Sequence, residues 1–157
     1  MKVRLYKSIV VPTAVYIRAY ASETWRSTSK TTRKLNVFHQ RCLRKILKII
    51  WRNRVTNEEV LRKAKSRPLS ESVTERRLRL AGHILRLPDT RPSKMAMKWI
   101  PPTGTRNRGR SKKTWRRTTI NDLSQVDIAW QDAEEAAADQ TGWRKLAAQC
   151  AYGHRRN

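Results

Sequence analysis

Lys and Arg outnumber Asp and Glu by 36 to 12 in this 157-residue chain, a formal net charge of +24. That imbalance sets the terms on which it can fold. A compact state with so large an excess repels itself and has to gather counter-ions. Phosphate polyanions meet the need well, because neutralising phosphates releases condensed cations. An anionic membrane surface is the other option, and the scattered basic pattern favours nucleic acid. The excess is unevenly placed. Residues 1–117 hold 32 basic and 6 acidic residues, whereas 118–143 hold no Lys or Arg and six acids, Asp122, Asp127, Asp132, Glu134, Glu135 and Asp139. Such an acidic stretch either shields part of the basic body or supplies a solvated face of its own.

Hydrophobic residues make up 38% of the chain, enough for a thin core. They recur at helical spacing almost throughout, which predicts an all-α fold, a loose array of about six or seven helices. A first helix over 2–20, bent at Pro12, carries Val3, Tyr6, Ile9 and Val10. A second, roughly 30–49, has Leu35, Phe38, Cys42, Leu43, Ile46, Leu47 and Ile50 on its apolar side and Arg33, Lys34, Arg41, Arg44, Lys45 and Lys48 on the other. Thr56-Asn-Glu-Glu59 matches a capping box and starts a short helix to about Ala64, before Arg67-Pro68. A fourth helix covers about Ser70–Leu87, and the Met95–Ile100 stretch is ambiguous. Further helices begin near Thr114, cover about Trp130–Asp139 and cover Trp143–Cys150. The segments divide as 1–52, a connector over 53–100, a basic Gly/Arg loop over 101–117 and an acidic, Trp-anchored tail over 118–157.

Little in the chain points to chemistry. Cys42 and Cys150 make neither a disulfide framework nor a metal knuckle, and His39, His83 and His154 have no zinc spacing. No phosphate-cradling glycine loop is present, and no cofactor is implied. Glu58-Glu59 and Glu134-Glu135 fall on predicted helices, where neighbours diverge by about 100°, so they read as capping and solubility. His39 and Cys42 lie one turn apart, but Cys42 belongs to an apolar helix face and reads as core. Gly82 within a helix implies close approach of another helix, with His83 satisfied by a partner or by phosphate. The N-terminus has the outline of a secretory signal, with an Ala19-Tyr-Ala21 site, but Pro12 and Arg18 interrupt it. No run reaches the roughly 18 apolar residues of a membrane span. The expected location is therefore intracellular, nuclear or cytoplasmic, with no membrane partner.

Two clusters add to the basic helix. Arg52 and Arg54 flank Trp51, and Arg116 and Arg117 follow Trp115; rings among cations stack unpaired bases, although core packing is the stronger reading of both Trp residues. Between Gly104 and Arg117, Arg106, Arg108, Arg110, Lys112 and Lys113 with two glycines make a clamp for phosphate, a localisation signal or a solvated loop.

Several of these stretches together carry a resemblance. Leu5-Tyr-Lys-Ser-Ile-Val-Val-Pro12, Tyr20-Ala-Ser-Glu-Thr-Trp25 and Phe38-His-Gln-Arg-Cys-Leu-Arg-Lys-Ile-Leu47 are followed in order by Trp51, Thr56–Glu59 and Arg76-Arg-Leu-Arg-Leu-Ala-Gly-His83. Gly109-Arg110, Thr114-Trp-Arg116, Trp130, Asp139 and Trp143-Arg144 complete the set. The ordered set resembles the thumb and C-terminal region of reverse transcriptases from non-long-terminal-repeat (LINE-like) retrotransposons. Leu80, Ser111 and Gln140 stand where that family usually has Trp, Pro and Arg. The resemblance implies a truncated fragment that grips the RNA or DNA backbone without reading bases, with the second helix against phosphates, and that would serve an upstream polymerase core of the same element. It also implies no catalysis, because the family's paired aspartates lie upstream of the thumb and this chain has no Asp-Asp pair. The alternatives are a transposon remnant with no selected function and an independent basic chromatin- or RNA-associated protein.

Overall fold

The computed structural model describes residues 2–13, 28–99 and 115–153. Among them every regular element is helical, and there are eight α-helices, close to the number expected. They group into two compact units, one up to Val73 and the other from Thr74 onward. The division falls inside the predicted 53–100 connector.

The first unit opens with α1, Lys2–Leu5, which widens into a π turn over Tyr6–Val10. Val11 N–H reaches back to the Tyr6 carbonyl, five residues away. The sequence predicts a bend at Pro12; what the described residues show is this π turn ahead of it, with 14–20 of the predicted helix outside them. Pro12 has no N–H to donate and its ring crowds the preceding turn, and a wider turn relieves both. Helix α2 covers Ser29–Ile46, and the Thr28 side chain accepts from Thr31 N–H at 3.2 Å as its N-cap. It ends earlier than predicted because Lys48 turns left-handed, at φ 55°. Ile49 N–H then bonds the Arg44 carbonyl at 2.9 Å, a Schellman closure with Lys where Gly is usual. After a 3-10 turn at Trp51–Asn53 comes α3, Asn57–Lys63. Thr56 caps it through Glu59 N–H at 3.3 Å, the contact foreseen from the capping box, and Lys65 closes it at φ 47°.

The core of this unit is Tyr6, Leu43, Val60 and Ala64, with Val3, Cys42, Ile46 and Leu61 around them. The wheel predicted for α2 is corrected here. Phe38, expected inside, is 44% exposed, and Ile50 is 60% exposed, while His39 is 1% exposed. Tyr6 supplies the reason. Its hydroxyl lies 2.9 Å from His39 Nδ1, Ser66 Oγ lies 3.3 Å from Nε2, and the two rings stack at 5.7 Å. With both ring nitrogens matched, the imidazole is buried at little cost.

Helix α4, Leu69–Leu85, begins in the first unit, where Asn36 of α2 bonds both the Ser70 backbone N–H (3.1 Å) and hydroxyl (3.0 Å). The rest of α4 belongs to the second unit, with α5 (Pro92–Lys98), α6 (Trp115–Leu123), α7 (Ala133–Ala138) and α8 (Gln140–Gly153). Helix α5 resolves the stretch that was ambiguous in sequence, with Pro92 in its first turn where the missing N–H costs nothing. Leu78, Ala81, Leu85, Met97, Leu123 and Trp143 lead this core. Gly82 has the role foreseen for it. A Cβ there would lie 2.5 Å from Trp143 Cδ1 and 2.6 Å from Cε2, so only glycine lets the indole lie against α4. Trp143 Nε1 donates to the Leu78 carbonyl at 2.7 Å. His83 is exposed.

Candidate nucleic-acid interface

Helix α2 turns Leu43 and His39 inward. Counting 100° per residue from Leu43, Lys30, Lys34, Arg41 and Lys45 fall between about 140° and 200°, on the opposite face. All four are exposed, and the sequence of α2 contains no Asp or Glu. The stripe runs from Lys30 to Lys45, roughly 22 Å at 1.5 Å per residue step. The nearest acid along the chain on the C-terminal side is Glu58, followed by Glu59, whose carboxylate pairs with Lys63 at 3.3 Å one turn along α3. The stripe therefore presents positive charge without internal compensation.

Not every predicted phosphate contact belongs to it. Lys34, Arg41 and Lys45 do, and Arg33 is exposed at its flank. Arg44 does not: its guanidinium donates to the Val55 carbonyl at 2.8 Å and to Asn57 Oδ1 at 2.9 Å, so it ties the end of α2 to the start of α3. Lys48, Arg52 and Arg54 follow the helix, all exposed, with Lys48 and Arg54 in left-handed backbone. Arg116 and Arg117 lie in the second unit, on α6 rather than in a loop. Arg116 is held structurally: it donates to the Lys98 carbonyl at 3.2 Å and its guanidinium sits 5.1 Å from the centre of the Trp130 ring. Trp115 and Trp130 both pack against the core of that unit, in line with the packing reading. Arg106, Arg108, Arg110, Lys112, Lys113 and Trp25 lie outside the described residues.

The acidic segment shields part of the basic body. Asp122 on α6 meets Arg77 of α4 at 2.5 Å, with 4% of the Arg77 side chain and 9% of the Asp122 side chain exposed. Glu134 pairs with Lys94 at 2.6 Å and Lys98 at 2.9 Å, and Asp89 completes the clasp at 3.1 and 3.2 Å from the same amines. Hydrogen bonds from these lysines hold Asp89 and Glu134 below the usual carboxylate range, and the Glu134 bond raises both amines above 10.5. The clasp stays ionised across the neutral range, so its cations are already matched within the second unit. On α2 they are not.

Two features of the α2 face escaped the sequence reading. Lys30 extends the stripe by a turn at its N-terminal end, and Phe38 joins it from the predicted core. Anchoring the wheel on Leu43 instead of on the aromatic ring finds both, since Lys30, Lys34, Arg41 and Lys45 repeat at i, i+4, i+11 and i+15. Among the described residues no three His, Cys, Asp or Glu side chains group so as to hold a metal ion. No helix among them is long and apolar enough to cross a membrane. No protein-family model, curated protein or solved structure matches the chain.

Proposed function

We propose that this chain grips the phosphate backbone of RNA or DNA without reading base sequence, and that it does no chemistry on its ligand. In this reading it corresponds to the thumb and C-terminal tail of a LINE-like reverse transcriptase, working in the nucleus or cytoplasm. The observation that supports it is the outward face of α2, where Lys30, Lys34, Arg41 and Lys45 line one side of a helix that has no acidic residue. Flexible cations spaced along a rod suit a repeating anionic backbone.

A salt series with the purified chain and radiolabelled oligonucleotides on filters tests the reading. Four phosphate contacts contribute a slope of log K against log salt of about −3 for single strands and about −3.6 for duplex. Replacing Lys34, Arg41 and Lys45 by Gln should remove about 2 units of the single-strand slope. Absence of binding at low salt, or binding indifferent to salt, refutes the proposal.

A further inference from the structure

Phe38 is 44% exposed and Val37 49% exposed on a helix that already has a filled apolar face. By helical geometry Phe38 lies at about 220° from Leu43, on the border of the basic stripe. Lys34 is one turn before it, Arg41 one turn after and Lys45 two turns after. Burying a phenylalanine side chain is worth about 2–3 kcal/mol, and His39, not Phe38, takes the inward position beside Tyr6. The fold therefore leaves its single phenylalanine 44% exposed, on the side of α2 that also carries Lys34, Arg41 and Lys45.

We propose that Phe38 is a stacking platform for an unpaired base, so that the α2 face prefers single-stranded RNA or DNA to duplex. The inference rests on the reading that α2 holds phosphate, and it adds the form of the strand. In a duplex the bases are stacked on one another and their faces are closed to a side chain. In a single strand each base offers a π face while its phosphates remain within reach of lysine and arginine. An anionic membrane would also meet apolar and basic groups together. Membrane-surface helices, however, insert a broad apolar face, and the apolar face of α2 is committed to Leu43, Val60 and their neighbours.

The test is fluorescence anisotropy with the full chain, a labelled 20-nucleotide oligo-dT and a labelled 20-base-pair duplex, over a potassium chloride series. Phe38→Ala should weaken oligo-dT binding roughly 5- to 150-fold, leave the salt slope unchanged and leave the duplex nearly unaffected. Phe38→Tyr should restore the affinity and Phe38→Leu should not, because stacking needs a ring and an apolar contact does not. The exposed position lets each variant keep its helix, which circular dichroism verifies. If Phe38→Ala leaves oligo-dT affinity unchanged while a salt slope persists, the platform is wrong and the backbone reading stands. If neither oligonucleotide binds with salt dependence, both fall. Leucine performing as well as tyrosine also overturns stacking. So does loss, in Phe38→Ala, of binding to phosphatidylserine vesicles with no change for oligo-dT, an outcome that would assign the patch to a membrane.

Discussion

Gly82→Ala sets two opposing effects against each other. In an exposed helix interior this change stabilises by about 1 kcal/mol, because alanine loses less backbone entropy on folding. At Gly82 the added methyl would sit 2.5 Å from Trp143 Cδ1 and 2.6 Å from Cε2, far inside van der Waals contact. The indole has no room to retreat: it is 2% exposed and tied to the Leu78 carbonyl at 2.7 Å. Overpacking of this kind costs about 1–3 kcal/mol, and displacing the ring strains or breaks a buried hydrogen bond worth about 1 kcal/mol. The steric cost should exceed the propensity gain, for a net loss of about 2 kcal/mol. Urea unfolding followed by far-ultraviolet circular dichroism measures it. Alanine has none of the ring atoms that the methyl strikes, so Gly82→Ala made in a Trp143→Ala background should be close to neutral. The two changes would then couple by about 2 kcal/mol. A Gly82→Ala protein as stable as the wild type, or one equally destabilised in both backgrounds, would refute the close-approach account.

Three further outcomes are expected. Arg77→Met leaves Asp122 buried beside the Cys150 thiol with its cation gone and should cost about 3–5 kcal/mol, most of it recovered in the Arg77→Met/Asp122→Leu double variant; urea unfolding that shifts by less than about 1 kcal/mol would show the pair to be incidental. Burial holds the His39 imidazole below its ordinary 6.5, with repulsion from Lys7 adding to it and a bond to the Arg67 backbone opposing it. Below pH 6.5 the unfolded chain takes up a proton that the folded chain refuses. Stability should therefore fall, by up to about 1.4 kcal/mol per pH unit, as pH drops from 6.5 toward the folded value, and stay flat above it; the same acid slope in His39→Gln would assign it to other groups. Lys48→Gly should raise stability by about 1 kcal/mol, because glycine occupies φ 55° without strain, while changing the salt slope of binding by no more than one phosphate; a less stable variant would contradict the strain assigned to that helix end.

Much of the local structure was readable from short stretches. Thr56 and Glu59 start α3 because a hydroxyl three residues ahead of an N–H can satisfy it wherever the chain goes. Gly82 announced a neighbour without naming it. The surplus of cations is likewise a property of the sequence alone, and so is the all-helical class, since burying apolar residues at a 3.6-residue spacing demands it. The identities of the partners were not readable, because each comes from far along the chain. Tyr6 stands 33 residues from His39, and its hydroxyl makes the imidazole the better core group, which sends Phe38 outward. Trp143 is 61 residues from Gly82, and Asp122 is 45 from Arg77. Charge behaved in the same way. Residue counts put Arg44, Lys45, Lys94 and Arg116 on equal terms, but tertiary contacts tie Arg44 to Val55 and Asn57, Lys94 to Glu134, and Arg116 to Trp130, while Lys45 stays exposed. Local sterics and hydrogen bonding act over a few residues and so can be read from sequence. Burial and ion pairing act over a few ångströms of space, and which residues meet at that distance is decided only when the helices pack.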